Sequence, residues 1–338
     1  MTNDANIRLH DVLDIMPQAE QYILDLPLQK AIETALRFNQ PLLLTGEPGT
    51  GKTQLAYKVA HQLHEQTKNN GSIIFAAKPL RFNTKTTSQA RDLFYLYDAI
   101  GHFQQANTRL SDTMSPLPTS DFIDLQALGK AIALANPKTE YSQKFRFSMP
   151  YAAESSVVLV DEVDKAPRDF TNDILNEIEN REFFVKEQDN YHVSFDMGLA
   201  DEKGNPCKNT QRILLIMTSN SEKNLPEAFL RRCVFYHIPS PEGEKLRAIL
   251  KAHLTQPENP TLEGSLKNIT EEFEMLRKKV TRKPPATAEL VALVKLLEVE
   301  NAFVSEITDV KKVFRENLSL LIKTKEDLEA LREYLNLK

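Results

Sequence analysis

Pro41-Leu42-Leu43-Leu44-Thr45-Gly46-Glu47-Pro48-Gly49-Thr50-Gly51-Lys52-Thr53 is the stretch on which the rest of the chain turns. The leucine run has the look of a buried strand. Residues 46–53 fit G-x-x-x-x-G-K-[ST], a phosphate-binding loop between a strand and a helix. Gly46, Gly49 and Gly51 let the backbone bend so that successive N–H groups point inward at phosphate oxygens, where a Cβ would intrude. Glu47, Pro48 and Thr50 complete the loop. Lys52 is expected to reach the β- and γ-phosphates and Thr53 to offer its hydroxyl to Mg²⁺. The helix beginning there adds the positive end of its dipole to the same anion. A nucleoside triphosphate with Mg²⁺ is therefore the expected ligand.

Working outward, the 338 residues suffice for a substantial core and two domains. Hydrophobic content of 41% and charged content of 26% are those of an ordinary soluble globular protein. A net charge of -5 leaves no electrostatic footprint for nucleic acid and argues against a DNA motor. Cys207 and Cys233 are the only cysteines and lack metal-ligand spacing, so a reduced, cytoplasmic setting is expected. The polar start Met1-Thr2-Asn3-Asp4 does not read as a signal peptide, and no apolar stretch approaches membrane-spanning length.

Periodicity predicts a helix over residues 28–38, with Leu28, Ile32 and Leu36 on one face, and another from Lys52 with Leu55, Val59 and Leu63, ended by Lys68-Asn69-Asn70-Gly71. Ile73-Ile74-Phe75 or Leu80-Arg81-Phe82 is the next strand. Residues 84–150 break the pattern. Helical spacing is expected over 90–106 and 122–135, joined by an exposed polar passage at 111–120. Phe94, Tyr95 and Tyr97 are either packing residues of this stretch or a grip on substrate. Ser156-Val157-Val158-Leu159-Val160 reads as a central parallel strand, covered on both faces. An amphipathic helix over 168–181 follows, then a hairpin over 183–195 and a buried strand at 212–217. Beyond Pro239-Ser240-Pro241 the remainder reads as helical, with Leu246, Ile249, Leu250 and Leu254 on one face, then Leu290, Leu293, Val294 and Leu297, then Leu328, Leu331 and Leu335. Thr324-Lys325-Glu326-Asp327 opens the last helix with a capping-box pattern. A boundary near 240 thus separates a sheet domain, 1–240, from a helical one, 241–338.

Phosphoryl transfer needs a metal beside the phosphates, a group that orients water, and positive charge near the γ-phosphate. Asp161, at the end of the strand 156–160, suits the first task and Glu162 the second. Asp164 and Lys165 read as surface residues capping the next helix. Thr218-Ser219-Asn220 ends a strand expected to lie between those of the two signatures, and Asn220 is placed to bond both the γ-phosphate and the water. In Leu225-Pro226-Glu227-Ala228-Phe229-Leu230-Arg231-Arg232, one of Arg231 and Arg232 is expected to act as an arginine finger across a subunit interface.

These motifs, in this order and ahead of a helical domain, resemble an AAA+ ATPase over about residues 20–300. Pro41 through Thr53, Asp161-Glu162-Val163-Asp164-Lys165-Ala166-Pro167, and Leu225 through Cys233 are similar to the MoxR-type branch, part of the helix-2-insert group. The resemblance implies an α/β P-loop NTPase fold: a parallel sheet of order 5-1-4-3-2 flanked by helices, with a C-terminal all-helical lid. It implies ATP as the nucleotide and a ring, usually of six subunits, with ATP at each interface. It also implies an insertion, about 84–150, and a hairpin, about 183–195, facing the pore or upper surface. By motif match, Lys52 and Thr53 take phosphate and Mg²⁺, Asp161 the metal, Glu162 the water and Asn220 the first sensor position. Arg232 aligns better than Arg231 with the finger. Where the lid helix of AAA+ proteins commonly starts with a sensor arginine, this chain has Ala288 after Pro284-Pro285-Ala286-Thr287, leaving Arg282 or Lys283 for that role.

Family members remodel a protein client, often beside a von Willebrand A domain partner, so a chaperone-like remodeller is the leading expectation. A nucleic-acid motor or loader on the same scaffold, or a slow nucleotide-gated switch, is the alternative.

Overall fold

A computed structural model describes residues 19–69, 73–108, 117–150, 152–201, 203–221, 225–255, 257–258 and 260–337. The start of the chain, most of the polar passage at 111–120 and the end of the Lys68-Asn69-Asn70-Gly71 stop lie outside them. The chain divides into two compact units: Leu24–Pro239, and Ser240–Lys338 with the segment before Leu24.

In the first unit, strands β1 (Leu42–Thr45), β2 (Leu80–Asn83), β5 (Ser156–Asp161), β8 (Ile213–Thr218) and β9 (Val234–His237) form one parallel sheet in the order β2-β5-β8-β1-β9. Numbered along the chain, that is the expected 5-1-4-3-2. β1, β5 and β8 are buried throughout, as befits strands covered on both faces. Alternate side chains serve opposite faces. Leu43, Val158, Val160, Ile213, Leu215 and Met217 join one core cluster with Leu128, Ala131 and Ile132 of helix α4 (Ala127–Ala135). Leu42, Leu44, Val157, Leu159, Leu214 and Ile216 stand outside that cluster, as do the buried residues of α1 (Leu26–Phe38) and α2 (Lys52–Thr67), both of which pack on the sheet. Asp25 caps α1 by accepting the Leu28 amide at 3.0 Å, and Asn39 ends it in the left-handed region.

Residues 84–150 depart from the helices expected there. A 3₁₀ turn (Ala90–Leu93) leads into β3 (Tyr95–Tyr97), and only then does α3 (Ala99–Thr108) begin. Likewise 122–135 opens with β4 (Ile123–Leu125), which pairs antiparallel with β3, before α4. The apolar spacing suits either conformation, and the strand wins because each segment finds its partner in the other. Residues 84–150 also do not all stand apart from the core, since α4 packs on β2, β5 and β8. Gly129 lets the same helix come close to the end of the 3₁₀ turn, where a Cβ would meet Phe94 O at 2.0 Å.

The helix expected over 168–181 is two short ones, Arg168–Asp173 and Leu175–Asn180, and Arg181 ends the second with φ 52°. The hairpin is present as β6 (Glu182–Val185) and β7 (Tyr191–Ser194), with Phe183 opposite Val193. It is anchored by aromatic packing: Phe183 stacks on Phe94 with centroids 5.3 Å apart, and Tyr95 donates its hydroxyl to Glu187 Oε2 at 2.9 Å. Phe94 and Tyr95 are buried and so are packing residues. Tyr97 donates to or accepts from His102 Nδ1 at 2.8 Å.

The second unit is helical among its described residues. Gly243–Ala252, Leu262–Lys279 and Thr287–Val299 enclose a core of Leu246, Leu250, Leu266, Phe273, Leu290 and Leu293. Its last helix, Lys325–Ala330, is capped by Thr324 Oγ1, which accepts the Asp327 amide at 3.2 Å. The reciprocal half of the expected box is absent: Asp327 instead receives the Thr324 hydroxyl and a turn distant in sequence.

Candidate active site

Parallel strands carry their carboxyl ends to one edge of the sheet, where ligands of open α/β sheets bind. β1 runs out at Thr45 into the glycine loop, β5 ends at Asp161 and β8 at Thr218. With Leu44 opposite Thr218 and Val160 opposite Met217, those ends lie side by side.

The loop is built for an anion. Gly46 has φ 146°, and a Cβ there would lie 2.5 Å from Ile238 O. Gly49 and Gly51 turn with φ 77° and 88°. Gly51 stands in the N-cap position of α2 and has no side chain to spend on the first-turn amides, which are left for a ligand. Thr50 Oγ1 donates to Glu47 O at 2.9 Å, while Glu47 and Pro48 are exposed at the rim. Lys52 is 7% exposed, and its Nζ donates to Gly46 O at 2.7 Å and Glu47 O at 2.9 Å. Burial pulls this ammonium below its ordinary pKa, while Asp164, Asp161 and Glu162 push it back up.

Asp161 is the hub. Thr53 Oγ1 donates to its Oδ1 at 2.9 Å, Thr218 Oγ1 to Oδ1 at 2.6 Å, and Arg81 Nη2 to Oδ2 at 2.7 Å. Thr218 Oγ1 also accepts the Glu162 amide at 2.8 Å, so one hydroxyl fixes both acids. Glu162 has φ 57°, rare for a residue with a Cβ. Its carboxylate pairs with Lys165, which raises the lysine's pKa. Asn220 is exposed, and its amide donates to Asp164 Oδ1 at 3.2 Å. Asp164 and Lys165 therefore hold the site's other residues and do not cap the next helix, whose N-cap is Pro167.

Arg231 and Arg232 lie beyond the helix Glu227–Leu230, where Arg231 pairs with Glu227 and Arg232 with Glu179. Arg282 belongs to the helical unit. Its side chain is 66% exposed and reaches Glu326 Oε1 at 3.5 Å. Sequence reasoning missed two residues of this constellation. Thr218 was visible as a hydroxyl at the end of a buried strand, and Arg81 as a lone cation inside Leu80-Arg81-Phe82.

Residues 41–233 match the family model of the AAA domain, dynein-related subfamily. The chain belongs to this family. An AAA domain binds and hydrolyses ATP with Mg²⁺, and its sheet is the P-loop α/β sheet described above. No curated protein matches the chain significantly. The residues present fit both ligands. The first-turn amides of α2 have no side-chain cap and so can receive phosphate oxygens. The Thr53 hydroxyl and Asp161 carboxylate are the hard oxygens Mg²⁺ prefers. Among the described residues no group of three or more His, Cys, Asp or Glu is placed to hold a metal ion. No helix of the described residues is long and apolar enough to cross a membrane.

Proposed function

We propose that this AAA protein is a ring-forming ATPase of MoxR type, a chaperone-like remodeller of a partner protein. The observation that carries the ATP-hydrolysing part of this reading is the three-way contact of Thr53, Asp161 and Thr218 at the strand ends, because it joins the phosphate loop, the proposed metal acid and the proposed sensor strand by hydrogen bonds. The family includes MoxR-like ATPases.

In this reading Lys52 and the amides of 46–53 hold the phosphates. Thr53 and Asp161 would hold Mg²⁺, which would supply positive charge beside the phosphates. Glu162 gives up Lys165, an exposed ion pair of little net worth, and accepts a proton from the attacking water. Asn220 bonds that water and the γ-phosphate. Arg231 and Arg232, with side chains 76% and 43% exposed, are open to a neighbouring copy, and surface pairs such as theirs are readily exchanged for phosphate. Residues 241–338 serve as the lid, with Arg282 its nucleotide contact. The 84–150 stretch and the hairpin meet the client, in a cytoplasmic hexamer beside a von Willebrand A partner. The aromatic packing of hairpin on insert supports their working as one element.

Substituting Glu162→Gln should leave ATP bound and turnover lost, and wild-type turnover in that variant would remove the assignment. Mixing Arg232→Ala with Glu162→Gln subunits should restore part of the activity, because some interfaces then hold an intact Glu162 facing an intact Arg232. Failure at every ratio counts against a shared site.

A further inference from the structure

Asp161 carries one formal charge into a nearly closed site: its side chain is 8% exposed. A carboxylate so enclosed needs hydrogen bonds and a cation. Two hydroxyls supply hydrogen bonds, but neither supplies charge. Lys52, the nearest loop cation, spends its hydrogen bonds on Gly46 O and Glu47 O. The cation in contact with the carboxylate is Arg81, whose Nη2 lies 2.7 Å from Oδ2.

Arg81 reaches this position from β2, the edge strand, which pairs parallel with β5 so that Arg81 stands opposite Leu159 and Asn83 opposite Asp161. Its side chain is 42% exposed and has a route outward that Asp161 lacks. The phosphate-loop reading brings Mg²⁺ to the same carboxylate. A guanidinium and a divalent cation on one carboxylate repel each other, and of the two only the arginine can retreat into water at small cost.

We propose that Arg81 is the counter-ion of Asp161 in the nucleotide-free protein, yields that carboxylate when Mg²⁺ enters with nucleotide, and so sets the metal concentration the site requires. The proposal rests on the ATP reading of the loop. Arg81 acts in it only through Asp161 and is a positioning residue. Because Thr84, just past β2, donates its amide to Asp161 O at 3.2 Å, the retreat occurs at the root of the 84–150 stretch.

The test is binding of a fluorescent N-methylanthraniloyl-ADP to the full chain, read by anisotropy across a Mg²⁺ titration. Arg81→Met keeps the alkyl stem without charge, Arg81→Gln keeps a donor without charge, and Arg81→Lys keeps the charge. The Met and Gln variants should reach half-maximal binding at Mg²⁺ lower by about tenfold, the scale of one charge-assisted contact, with Lys near wild type. A purely structural arginine would not sort the variants by charge. Unchanged or higher Mg²⁺ midpoints in Gln and Met, with nucleotide still bound, overturn the proposal and leave the loop reading standing. If Met fails to fold, Gln against Lys decides. Absence of nucleotide binding in the wild type at any Mg²⁺ overturns the loop reading and this proposal together.

Discussion

Thr218 donates its hydroxyl hydrogen to Asp161 Oδ1 at 2.6 Å and, through the same oxygen, accepts the amide of Glu162 at 2.8 Å. Thr218 is 1% exposed, so no water can stand in for it. The proposed metal ligand and the proposed water-orienting acid, adjacent in sequence, are thereby set by one hydroxyl on the neighbouring strand. Thr218→Val keeps the shape and removes both bonds. A buried hydrogen bond to a charged group is worth about 1.5–3 kcal/mol, so turnover should fall about ten- to a hundredfold while ADP affinity changes little. Thr218→Ser should recover most of it. Steady-state ATPase assays beside ADP titrations check this, and a Val variant at wild-type rate would mean that Asp161 and Glu162 hold their positions unaided.

Gly46 makes a second prediction, on the loop itself. Its φ is 146°, and an added Cβ would come within 2.5 Å of Ile238 O, which leaves no room for alanine without moving β9's continuation or the loop. Backbone strain of this kind costs about 1–3 kcal/mol. Gly46→Ala should therefore lower the melting temperature and weaken nucleotide binding together. Intact affinity at an unchanged melting temperature would show that the loop has slack.

What could be read in advance follows from how local each signal is. The glycine loop, the Asp161-Glu162 pair and the 183–195 hairpin declare themselves within a dozen residues, because turn chemistry and alternation are local. β3 and β4 do not. Tyr95-Leu96-Tyr97 is too short to separate strand from helix by periodicity, and its conformation is decided by a partner at Ile123–Leu125. β9 was hidden for a related reason: as an edge strand its residues are alternately half-buried and exposed, and Arg231-Arg232 just before it draw the eye to charge. Arg81 and Thr218 are ordinary residues on their own strands. Only the parallel order β2-β5-β8 makes both neighbours of Asp161.

The two thiols should differ sharply. Cys207 is exposed. Cys233 is half-buried, its Sγ donates to Phe229 O at 3.3 Å, and burial pushes its pKa up to about 12. Thiolate is the reactive form, so Cys233 is inert at neutral pH. Ellman's reagent should titrate one fast thiol per native chain and two after denaturation, and Cys207→Ser should abolish the fast phase. A second fast thiol in the native chain would place Cys233 in contact with solvent.

Asp327 gives the helical unit a dependence on acid. Its side chain is fully enclosed. Oδ1 accepts the amides of Thr281 at 3.3 Å and Arg282 at 3.1 Å, and Oδ2 accepts the Lys283 amide at 3.0 Å and the Thr324 hydroxyl at 2.6 Å. The Thr324 hydroxyl, followed by those amides, favours the ionised form and lowers its pKa from the ordinary 3.8. A carboxyl with a depressed folded pKa contributes stability that is complete above the unfolded value and lost as pH falls through the folded one. Asp327→Asn keeps one acceptor and loses the charge. Near neutrality it should melt well below wild type. The gap should then begin to narrow as pH drops below about 4, where the unfolded chain takes up its proton, and close as pH falls through the lower folded pKa. Thermal melts of the full chain at a series of pH values decide it. A constant gap down to strongly acid pH would mean that shape and hydrogen bonding, with no contribution from charge, hold the turn that carries Arg282.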